Sequence, residues 1–181
     1  MTGTSANARR ILSNLRMASQ SSPISGFRYW AGIALAFGVV AITTGFATNL
    51  FYVRVLDLRS FWFIPFVLIL FPSIPEEFFF RGLLVPRDVI DGSKTRAAAY
   101  VVGSALVFTL SRPLYELTIS GRSQPIFLNP FFLTIIFMLG ITCSLGYILS
   151  RSIWVPVFIH WLTALVWVMF LGGGSLILKN M

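Results

Sequence analysis

Between Phe61 and Val85 the chain is almost wholly apolar, yet two adjacent acids and a base stand inside that run, in Glu76-Glu77-Phe78-Phe79-Phe80-Arg81. An ionisable side chain at the centre of a bilayer costs about 2.5–3.5 kcal/mol on insertion scales. Three of them would cancel much of the run's insertion energy unless they pair or face a polar cavity. In a helix Glu77 and Arg81 are four residues apart and meet on one face, acid before base, which is the favourable order. Glu76 is left about 100° further round. A paired carboxylate beside an unpaired one suits acid–base chemistry, because the pair fixes geometry while the other is free to exchange a proton or hold water. A structural reading also exists. Ser73-Ile74-Pro75-Glu76 has the S-x-x-E spacing of a capping box, with proline in the first turn, so Glu76 is also placed to cap a helix restarted after Pro72. Capping accounts for neither Glu77 nor Arg81.

The rest of the chain supplies the membrane that this cluster needs. With 56% of its 181 residues hydrophobic and 11% charged, it falls outside the range of soluble domains. We expect an all-α, polytopic integral membrane helical bundle of about five spans, with the motif on a broken helix. The net charge of +8 comes from basic residues at the ends of apolar runs, where they set topology and meet headgroups. No nucleic-acid partner is expected. The single cysteine, Cys143, excludes an internal disulfide and reads as a packing residue.

Residues 1–28 form a basic polar arm with Arg9, Arg10, Arg16, Arg28, many serines and no acid. Its apolar set Ile11, Leu12 and Leu15 suits an interfacial helix, although the composition is also that of a transit peptide. No apolar run precedes Arg28, so no cleavable secretory signal is expected. Residues 29–175 read as the membrane domain and 176–181 as a tail. The spans are predicted at about Tyr29–Val53, a second stretch from Ser60 broken at Pro65, Pro72 and Pro75, then Thr95–Leu110, Phe131–Leu149 and Ile153–Leu171. Asp91-Gly92-Ser93 marks a turn, and Asn129 should cap the fourth span. An amino terminus on the cytoplasmic or stromal side gathers Arg9, Arg10, Arg16, Arg28, Arg87, Lys94, Arg96 and Arg151 there. That leaves Arg54, Arg59, Arg112, Arg122 and Lys179 opposite, a moderate positive-inside bias. A bacterial plasma membrane or an organellar, thylakoid-type membrane is the expected location.

His160, the only histidine, lies within the last span. A histidine inside a membrane tends to face a polar interior, so it joins the candidate site. Depth at 1.5 Å per residue is a check: a motif helix running to Ile90 puts Glu76 roughly 21 Å from that end, and Arg112 lies roughly 27 Å past Lys94. His160, at about 14 Å past Arg151, comes out shallower and needs tilt or an earlier helix start to come level.

Glu-Glu-x-x-x-Arg followed by Gly-Leu-Leu resembles the first motif of the CPBP family, the CAAX prenyl endopeptidases and bacteriocin-processing enzymes, which are glutamic-type intramembrane proteases. The likeness extends over about residues 60–170. The family's second motif, Phe-x-x-x-His, falls on Phe108 but has Arg112 where histidine is expected. Its third, His-x-x-x-Asn, falls on His160 with Ala164 at the asparagine position. The resemblance implies an intramembrane endopeptidase acting on a peptide or membrane-protein substrate in membrane lipid. In it Glu76 would activate water, Glu77 and Arg81 would support it, His160 would be an electrophilic donor, and Phe108 and Arg112 would contact the substrate or oxyanion. Arginine is not a proton carrier at accessible pH, and alanine offers no donor. A catalytically inactive relative acting as a membrane binding or assembly factor is therefore the second reading, and a proton-coupled small transporter the third. No cofactor is expected, since one histidine and a remote cysteine do not make a zinc site.

Overall fold

In the computed structural model, which describes residues 3–57, 59, 61–86, 92–118 and 125–178, the described chain is helical and contains no strand. An isolated bridge joins Arg54 to Leu171. The helices are α1 (Gly3–Gln20), α2 (Phe27–Ala47), α3 (Ile64–Leu68), α4 (Ile74–Glu77), α5 (Lys94–Thr118), α6 (Pro130–Ser150), α7 (Trp154–Phe170) and α8 (Gly173–Leu178). Three of them, α2, the Lys94–Leu114 part of α5, and α6, are long and apolar enough to cross a bilayer, while α7 is apolar but only 17 residues long. The protein is a membrane helical bundle, and side chains such as Leu35, Val39, Phe66 and Leu110 on its outside are apolar, as lipid requires.

α6 is the axis of the bundle. Half of its spanning window is buried, against 22% for α2 and 28% for α5, and α2, α5 and α7 all pack on it. Gly140 makes the α5 contact possible: a Cβ there would stand 3.0 Å from the Ala105 Cα, so the two backbones touch where any side chain would hold them apart. Around this crossing lie Phe37, Phe80, Phe108, Phe132 and Cys143, the last fully buried in the core.

The second apolar run is not a helix but four short pieces. Pro65 and Pro75 sit in the first turns of α3 and α4, where a missing N–H costs nothing. Between these helices Ile69–Ser73 forms a wide turn in which Phe71 is extended, with φ −146 and ψ 118, next to Pro72. A second wide turn, Phe78–Leu83, follows α4. Backbone oxygens freed by the breaks are taken up inside the protein. Leu68 O accepts from Ser73 Oγ at 2.7 Å and Phe80 O from Ser104 Oγ at 2.8 Å, while Pro65 O, already bonded to the Ile69 N–H, also accepts from Trp161 Nε1 at 2.9 Å. A broken helix survives in a membrane only where other groups satisfy it in this way.

Several expected boundaries move. The first span stops at Ala47 rather than Val53, because Phe51 folds back so that its ring occupies the space a Gly45 side chain would need. Pro113 does not end the third span. α5 runs through it to Thr118, since a proline forfeits one hydrogen bond and kinks a helix without having to stop it. The fourth span is as predicted, with Asn129 Oδ1 accepting from the Phe131 N–H at 2.9 Å and the Phe132 N–H at 3.4 Å. α1 is docked rather than loose: Ala18 O accepts from the Ile153 N–H at 3.1 Å, Ser19 O accepts from Trp154 Nε1 at 2.9 Å, and Leu15 packs over Gly82. Ser60, Arg87, Ile90, Asp91, Arg122 and Lys179, used above for boundaries, the turn and topology, lie outside the described residues.

Candidate active site

Glu77 leaves α4 toward α6 and α7 and is completely buried, as is Arg81 on the following wide turn. Arg81 Nη1 is 3.1 Å from Glu77 Oε1 and 3.0 Å from Oε2. Only the Oε1 contact has hydrogen-bond geometry, and the other is a contact between charges. Nη2 of the same guanidinium donates to the Gly140 carbonyl at 2.8 Å, tying the motif to the midpoint of α6. Glu77 Oε1 also meets His160 Nδ1 of α7 at 2.8 Å. Two charges with no access to water are thus held by each other, by a carbonyl and by an imidazole, which is what such burial demands.

Glu76 points to the other side of the same cluster. Its Oε2 is paired with Arg112 Nη2 and lies 3.9 Å from His160 Nε2. Both side chains of the Glu76–Arg112 pair are about a fifth exposed, unlike the inner pair. Ser73 makes no capping bond, its hydroxyl being spent on Leu68 O, so the capping-box reading of Glu76 is overturned.

Phe108 stands between the two cations, 4.8 Å from the Arg81 guanidinium carbon and 4.9 Å from that of Arg112, with its ring edge to face against His160 at 5.5 Å. It is fully buried and does not line the neighbouring cavity. Both guanidinium groups meet its ring, a favourable contact for a cation.

The cavity has a volume of about 210 Å³ and is walled by Leu68, Phe132 and Leu139 along with Arg112, His160, Thr163, Ala164 and Trp167. Glu76 lies at its edge, against the lining residues Arg112 and His160. The indole Nε1 of Trp167 and the Nε of Arg112 are buried without a hydrogen-bond partner. Trp167, Thr163, Phe51 and Ile135 also border an outer apolar groove of about 510 Å³ between α2 and α7. Among the described residues no group of three or more His, Cys, Asp and Glu side chains is arranged to hold a metal.

Sequence reasoning placed the acids, the arginines and the histidine but missed Trp167 and Gly140. Periodicity held a signal for the first, since residue 167 lies seven beyond His160 and so on the same helix face. Nothing in the sequence marks Gly140 as the carbonyl that receives Arg81. Depth counted from helix ends changes with the boundaries: Glu76 is about 10 Å from Leu83 and His160 about 9 Å past Trp154, which brings these two level, while Arg112 remains about 27 Å past Lys94.

No curated protein and no solved structure matches the chain. A family model, Type II CAAX prenyl endopeptidase Rce1-like, matches residues 58–166, a stretch containing Glu76, Glu77, Arg81, Phe108, Arg112 and His160. That match covers more than half of the sequence and takes in both ion pairs and the histidine; the chain belongs to the Rce1-like type II CAAX prenyl endopeptidases, within the CPBP family of intramembrane proteases.

Proposed function

We propose that this protein is an intramembrane endopeptidase that hydrolyses a peptide bond with one water lodged between Glu76 and His160. The observation that carries the reading is that a single imidazole reaches both motif glutamates, with Nδ1 2.8 Å from Glu77 and Nε2 3.9 Å from Glu76. A gap of 3.9 Å is too long for a direct hydrogen bond and suits a water touching both groups. The resemblance gives Glu76 the activation of that water, and His160 stands beside it. Arg112, on the cavity wall, faces the place where the carbonyl oxygen would gain charge. The substrate is a membrane-embedded peptide or protein segment, admitted to the largely apolar cavity beside the ion pairs.

The test is cleavage of a library of membrane peptides by purified protein in liposomes. Wild type should cut, and the double variant Glu76→Gln/His160→Gln should not. Equal cleavage by both, or none by wild type, would sink the reading. One observation favours the second reading, a binding or assembly factor: Glu76 is already engaged by Arg112 and residue 164 carries no donor. That reading requires partner capture to survive in the double variant.

A further inference from the structure

Two groups flank the proposed water, and their other contacts decide which one takes its proton. Glu77 is held by Arg81 as a carboxylate, which only accepts hydrogen bonds. The 2.8 Å contact therefore assigns the ring hydrogen of His160 to Nδ1. A neutral imidazole protonated at Nδ1 has a bare lone pair at Nε2. His160 is on the cavity wall, while Glu76, about a fifth exposed beside it, is committed through Oε2 to Arg112. Arg112 is on that wall too, with Nε still unpartnered after Nη2 has met Glu76.

We infer that the general base of this chain is His160 oriented by Glu77, that Arg112 donates to the oxyanion, and that Glu76 is the positioning residue holding Arg112. The inference rests on the endopeptidase reading. The water oxygen bonds to the scissile carbonyl carbon as Nε2 takes one water proton, and the carbonyl pair moves onto the oxygen facing Arg112. The imidazolium formed is flanked by the Glu77 carboxylate. Collapse of the oxyanion breaks the C–N bond, and Nε2 returns its proton to the leaving amine. Peptide and water become acid and amine, and the ring ends neutral. Arg112 and Ala164 then count as one exchange rather than two losses. A cation supplies the donor that residue 164 lacks, and the base moves from the acid to the histidine.

His160 is the only histidine, so ¹⁵N-histidine labelling of the full chain in phospholipid nanodiscs reports one ring. Nδ1 should carry the hydrogen with Nε2 bare, and Glu77→Gln should erode that preference. In liposomes, His160→Gln should lower kcat/KM about 10³-fold and Glu76→Gln only about 10-fold, the latter in kcat with KM unchanged. Arg112→Met should lose about 10²-fold in kcat, with Arg112→Lys losing less. An Nε2-protonated ring, or a larger loss from Glu76→Gln than from His160→Gln, overturns the assignment while leaving the endopeptidase reading intact. Absence of wild-type turnover removes the reading and the base role together.

Discussion

The two ion pairs of the motif face opposite environments. Glu77–Arg81 is wholly buried and held from three directions, by α4, by the Gly140 carbonyl of α6 and by His160 of α7. Glu76–Arg112 joins α4 to α5 beside the cavity, about a fifth exposed, with one guanidinium nitrogen unpartnered. Adjacent glutamates thus do different work because one helical step turns them to different neighbours. The inner pair is a frame, and the outer pair borders a space where a ligand can compete for its groups.

The largest expected effect comes from breaking the frame. Arg81→Met leaves Glu77 buried and unpaired and strips Gly140 O of its donor, a loss of about 3–5 kcal/mol. Arg112→Met leaves Glu76 with partial access to solvent, a loss of about 1–2 kcal/mol. Reversible unfolding in mixed micelles measures both. Equal losses would erase the distinction between frame and cavity edge. The double variant Glu77→Leu/Arg81→Met sharpens it, recovering part of the stability while leaving His160 Nδ1 without its acceptor.

An effect smaller than that of Arg81→Met should follow from Gly140→Ala. The added methyl meets the Ala105 backbone at 3.0 Å, so α5 and α6 must separate by a few tenths of an ångström. Overpacking of this kind costs about 1–3 kcal/mol. It moves the carbonyl that anchors Arg81, and the outer pair should feel less of it, because Arg112 lies two turns along α5 from Ala105. Unfolding in the same micelles gives the loss, and a variant as stable as wild type would mean that α6 does not anchor the frame through this contact.

How far the sequence carried the site can be judged residue by residue. Glu77 and Arg81 were legible because a helix brings positions four apart together and a membrane forces buried charge to pair. His160 was legible as the one imidazole in an apolar span. What Arg112 meets was left open by the sequence, with Glu76 one candidate among several, because the pairing joins α4 to α5 across 36 residues. The spans were readable from apolar length. Their ends were not, because Phe51 folds onto Gly45 and the run after Leu68 opens into wide turns, both consequences of tertiary contacts.

The smallest expected effect lies on the cavity side, at Trp167. Its Nε1–H is buried with no acceptor, and an orphaned donor costs about 1–3 kcal/mol. Trp167→Phe removes that donor but also gives up part of a ring packed 5.3 Å from Phe132 and 6.5 Å from Phe127. The two terms oppose each other and are of similar size, so stability should change by less than about 1 kcal/mol in either direction. The wall that Trp167 forms between the 210 Å³ cavity and the 510 Å³ outer groove becomes thinner, which admits lipid or substrate without disturbing the inner pair. Micelle unfolding settles the first point. A loss above about 2 kcal/mol would show that the indole N–H is satisfied in the membrane, and that the cavity edge is as tightly built as the frame.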